Sequence, residues 1–145
     1  MVGLNTLYFG AKSKVDPEQE EKTFNWFENV LVSSGRHERF IPFFHIWPGM
    51  NYMDHQNLHW QEPKLSQMET LIKEQSHKIS MLVGAHTHFM DFMFMGEEAE
   101  FDNLFISPSL SPVFKNNPGL SFFDITPENE VENVRVQFMQ LQKKN

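Results

Sequence analysis

The segment Ile79-Ser80-Met81-Leu82-Val83-Gly84-Ala85-His86-Thr87-His88 joins a short apolar run to a pair of imidazoles. Residues 79–83 are compact and apolar, which predicts a buried strand. Gly84 follows at once, and both histidines come just past the strand's C-terminal end, where open α/β sheets present their ligand groups. In extended backbone, residues two apart point to the same side, so His86 and His88 are expected to face one site. Neutral imidazoles at that spacing suit zinc and similar metals.

Upstream, residues 39–46 repeat the arrangement. Phe40, Ile41, Phe43, Phe44 and Ile46 predict a second buried strand, which delivers His45 to a turn forced by Trp47-Pro48-Gly49. Residues 4–9 read as another strand. Between these two strands, Asp16 and Pro17 make a strong helix start. Phe24, Phe27, Val30 and Leu31 then recur at helical spacing, and Gly35 is placed for a left-handed C-cap. Residues 51–61 have no clear period and read as a long loop. Pro63 opens a second helix carrying Leu65, Met68, Leu71 and Ile72 on one face.

Beyond His88, residues 101–106 and 120–125 predict strands, and alternation of Val134, Val136 and Phe138 with polar neighbours predicts a half-buried one. Strand, helix, strand, helix, strand and then further strands describe an α/β (α+β) chain whose sheet ends in antiparallel strands. At 145 residues it is long enough for one domain with a real core.

Composition excludes several chemistries. There is no cysteine, which removes disulfides, thiolate nucleophiles and zinc–thiolate sites. A net charge of −7 without a Lys/Arg cluster argues against a nucleic-acid partner. A phosphate ester stays admissible, because bound metal ions reverse the local field. No apolar run approaches the length of a transmembrane segment, and residues 1–10 lack the features of a signal peptide. There is no Gly-x-Ser-x-Gly elbow and no phosphate-cradling glycine loop.

Other histidines compete with this assignment. A lone His-x-His is a weak signal in a chain with seven His, and hydrogen-bonded histidines at strand ends are the plain alternative. His55 and His59 would share a face on a helix, but Asn51, Gln56 and Asn57 suit a loop better. His77 sits near a helix end, where a cation suits the dipole. His37 is expected to face solvent. Asp91 and the Glu97-Glu98 pair read as a solvated acidic turn.

His45-Ile46-Trp47-Pro48-Gly49 resembles the His-Ile-Pro-Pro-Gly segment of the acid sphingomyelinase-like phosphodiesterases. Gly84-Ala85-His86-Thr87-His88 resembles the Gly-His-x-His block of the wider calcineurin-like metallophosphoesterases. Leu4-Asn5-Thr6 with Asp16-Pro17, Trp26 and Leu31, and later Ser107-Pro108-Ser109-Leu110-Ser111-Pro112 with Asn116-Asn117-Pro118-Gly119, are similar to further blocks in the same order.

The resemblance implies that residues 1–145 are the C-terminal portion of a four-layer αββα sandwich. It further implies a phosphoric ester hydrolase, sphingomyelin phosphodiesterase-like, working with two zinc ions. His45 and His86 would hold one zinc and His88 the other. Tyr52, His55, His59 and Trp60, from their loop position, would face a phospholipid or nucleotide type of substrate. Secreted or lysosomal relatives set the expected location.

The family's Asp-x-His, Gly-Asp and Asn-His blocks have no counterpart in this sequence. The expectation is therefore an incomplete hydrolase, inactive alone, whose missing half is another segment or chain. A non-catalytic interaction module built on half of the fold, and a mononuclear metal-binding protein, are the alternatives.

Overall fold

The structure is a computed structural model that describes residues 1–14, 16–50, 57–95 and 101–141. Its centre is a five-stranded sheet in the order β1-β2-β3-β5-β4. β1 (Val2–Leu4), β2 (Pro42–Phe44), β3 (Leu82–Gly84) and β5 (Phe101–Ile106) run parallel, and β4 (Asp91–Met95) closes one edge antiparallel to β5. Helix α1 (Pro17–Ser33) joins β1 to β2, and α2 (Glu62–Gln75) lies between β2 and β3. A hairpin of β6 (Gly119–Ile125) and β7 (Val131–Phe138) follows. The chain is thus a mixed α/β structure.

Alternation along the strands sorts side chains to two faces. Val2, Leu4, Phe44, Leu82, Leu104 and Ile106 join Phe24, Phe27 and Leu31 of α1 and Leu65, Met68 and Ile72 of α2 in one core. Both helices therefore cover the same face of the sheet. Removing a fully buried member such as Leu82 costs about 2–5 kcal/mol.

The other face carries the row Gly3, Phe43, Val83, Phe105 and Phe92, in register across all five strands. The hairpin β6–β7 covers part of this row. Phe123 meets the Phe105 ring edge-on at 5.5 Å, the Ser107 and Ser121 hydroxyls lie 2.9 Å apart, and Ser80 Oγ donates to Asn129 O at 2.6 Å. Phe43, Phe92 and Phe94 remain about half exposed beside it.

Several local expectations change. Residues 4–9 are not one strand: β1 ends at Leu4 and Thr6–Phe9 winds into a 3-10 turn, capped by Asn5 Oδ1 accepting from Leu7 N. The strand foreseen over 39–46 narrows to Pro42–Phe44, with Phe40 making a lone bridge to Ile79.

Gly35 does not adopt the left-handed cap. The end of α1 is closed by Ser34 Oγ donating to Leu31 O at 2.7 Å and by the buried Lys78 ammonium. That ammonium donates to Leu31 O at 2.6 Å and to Ser34 O at 3.2 Å, so the orphan carbonyls find a donor from outside the helix. β4 was missed, because Asp91 reads as part of an acidic turn.

Candidate metal centre

Two strand ends bring the candidate residues together. His45 follows β2 and His86 follows β3, neighbouring parallel strands. Ala85 N donates to His45 O at 3.1 Å, which ties the two ends side by side. The residue after His45 is clamped at both backbone groups. Ile46 N donates to the buried Thr6 hydroxyl at 2.9 Å, and Ile46 O accepts from Trp60 Nε1 at 3.0 Å.

Trp47, fully buried, lies over Gly84: a methyl group there would meet Trp47 Cβ at 2.8 Å. It also presses on Gly49, whose φ of +127° is open to glycine and strained for other residues. The indole is thus seated between two glycines, and it fixes the spacing of the segments that carry His45 and His86.

His86 Nδ1 and His45 Nε2 are 3.2 Å apart, with their rings nearly perpendicular at 80°. Two imidazoles on one tetrahedral zinc, each about 2.0–2.1 Å from the ion, place their nitrogens about 3.3 Å apart. The pair therefore fits two ligands of a single ion. Without an ion, the same approach suits one ring N–H donating to the other ring. Partial burial of the His86 ring, helped by the imidazoles of His45 and His88, pushes its pKa below 6.5. At neutral pH the ring is accordingly the neutral species that metals bind.

The extended backbone expected for His86 and His88 is not found. Their φ values are +78° and +68°, in the left-handed region that non-glycine residues seldom adopt. Strain of this kind collects at functional sites. As a result His86 turns toward His45, while His88 packs on Phe114 with ring centroids 4.9 Å apart. His88 Nδ1 and the hydroxyl of buried Thr87 are enclosed, and neither finds a hydrogen-bond partner among the described residues.

The remaining candidates divide. His59 stands close to the pair, its ring centroid 5.6 Å from His86 and 4.5 Å from Trp47. Backbone bonds of 2.9 Å hold it there, from His59 N to Gly49 O and from Ala11 N to His59 O. Trp60 belongs to the core instead of a cleft wall. It is fully buried, 4.8 Å from the Phe9 ring, with its indole N–H spent on Ile46 O. Tyr52 and His55 lie outside the described residues. His37 and His77 are exposed, away from the pair.

A cleft of about 540 Å³ opens beside the pair, bounded by Gly10, Lys12, Ser13, Ile46, His59 and His86. Lys12 and Ser13 were not foreseen; nothing in their sequence neighbourhood sets them apart from an ordinary solvated loop. Among the described residues, no three His, Asp or Glu side chains gather closely enough to complete a metal site. The chain matches no family model and no curated protein.

Proposed function

We propose that this chain carries the histidine side of a zinc-dependent phosphoric ester hydrolase centre, sphingomyelin phosphodiesterase-like, and does not catalyse alone. The carrying observation is the 3.2 Å approach of His45 Nε2 and His86 Nδ1 at adjacent strand ends. These two would hold one zinc, and His88, two residues on, would serve the second. A bound zinc polarises a phosphoryl oxygen and acidifies water.

The chain's own residues have distinct tasks. Thr6, Trp47 and Trp60 hold the ligands in place. Lys12 and His59 line the same cleft, where Lys12 would offer a cation to an anionic phosphate ester and His59 would meet the substrate. The half-exposed Phe43, Phe92 and Phe94 support placing this sheet in a four-layer αββα sandwich, whose second sheet is completed by strands from another segment or chain.

The test is calorimetric titration of Zn²⁺ into the full chain. Uptake is expected in the wild type and in His77→Ala, and is lost in His45→Ala and in His86→Ala. Equal uptake by His86→Ala, or none by the wild type, would sink the metal reading. The same aromatic face favours a second reading, a non-catalytic interaction module. That reading takes the lead if zinc fails to bind while Phe43→Ser and Phe92→Ser abolish a stable complex with a partner.

A further inference from the structure

We propose that the loop of residues 107–119 is a docking surface for a phospholipid bilayer. Leu110, Val113 and Phe114 are 66%, 64% and 58% exposed, a cost to an aqueous protein unless something covers them. Hydrogen bonds of the loop backbone hold it in this outward-facing form. Lys115 N donates to Pro112 O at 2.9 Å, Ser111 N to Ser109 Oγ at 2.9 Å, and Gly119 N to Ser109 O at 3.0 Å. Beneath them the buried Asn116 donates its amide to Ser111 O at 3.0 Å.

The apolar surface continues past the loop. Leu110, Leu120, Phe138 and Met139 line a recess of about 360 Å³. Phe138 carries over into a second recess of about 440 Å³ with Met90 and Lys115.

Charge selects the occupant. The chain has 19 acidic residues, yet none lies in 107–119 or lines either recess, and Lys115 is the one charged side chain there. Apolar side chains with a cation among them match the acyl boundary and the anionic headgroups above it. Phe114 rests on His88, so a docked loop brings His88 toward the membrane surface. A role for His88 there rests on the hydrolase reading; the docking itself does not.

The experiment is flotation of the full chain with vesicles of phosphatidylcholine and phosphatidylserine at 4:1, with EDTA and with zinc. The wild type is expected to float in both. The double variant V113S/F114S, changed only at exposed positions, should partition at least about tenfold less. Lys115→Gln should lose about fivefold on these vesicles and little on phosphatidylcholine alone.

No flotation, or equal flotation of the double variant, overturns the proposal. So does self-association in lipid-free ultracentrifugation that the double variant abolishes, since the surface is then a protein interface. Flotation without zinc uptake leaves docking standing and removes the hydrolase reading; zinc uptake without flotation does the reverse.

Discussion

Replacing Gly84 by alanine separates two effects of the same chemical change. A methyl group on Gly84 would lie 2.8 Å from Trp47 Cβ and 3.3 Å from Cγ, closer than side chains pack. Trp47 is fully buried and pressed against Gly49 on its far side, so it has nowhere to retreat. Overpacking of this kind costs about 1–3 kcal/mol. Against it stands about 0.4–1 kcal/mol from the stiffer unfolded chain.

From the midpoints of the two ranges the net expectation is a loss of about 1.3 kcal/mol, or roughly 5 °C in Tm for a chain of this size. Gly35 provides the contrast: a methyl group there meets nothing closer than 3.7 Å, and its backbone is not left-handed. Gly35→Ala should leave Tm unchanged or raise it by a few degrees. Thermal unfolding followed by circular dichroism, at one protein concentration, reads both. A Gly84→Ala protein as stable as the wild type, or equal losses in both variants, would refute the claim that the Trp47 seat fixes the two histidine segments.

Lys78→Met keeps the buried stem but leaves Ser34 O without its ammonium donor and Leu31 O with the Ser34 hydroxyl alone, which should cost about 1–3 kcal/mol in urea unfolding. An unchanged midpoint would mean that the α1 terminus is satisfied in another way. Glu21 has its pKa held below 4.5 by the hydrogen bond and charge of Lys64, 2.6 Å away. Its contribution is fully present above pH 4.5 and fades as pH falls through the depressed folded value. Wild type and Glu21→Gln should therefore differ slightly at pH 7 and converge under acid; a gap that widens toward low pH would contradict the assignment.

What the sequence disclosed follows how local the cause is. Asp16, whose carboxylate caps Glu18 N at 3.0 Å, and the Phe24, Phe27, Leu31 stripe are local signals, and α1 stands where they put it. The alternation of Val134, Val136 and Phe138 likewise falls in β7, which begins three residues earlier at Val131. Gly35 failed as a cap because a distant residue, Lys78, closes the helix, which no helix-local pattern contains. β4 escaped because its alternation of Phe92 and Phe94 with Met93 exposes the aromatic face, the reverse of the usual half-buried strand.

At the site, His45 and His86 could be read from their positions at strand ends. The left-handed φ of His86 and His88 could not, because it comes from the turn out of β3 and not from residue type. Trp60 reads as a loop aromatic in sequence, whereas the bridge to Gly10, the Phe9 contact and full burial fold this part of the loop into the core.

The central claim is that His45 and His86 share one metal through particular nitrogens, and long-range ¹H–¹⁵N NMR of the imidazoles tests it most directly. On adding zinc, His45 should be ligated through Nε2 and His86 through Nδ1, with the proton of each ring on the other nitrogen. Unperturbed rings, or ligation of His86 through Nε2, would contradict the account.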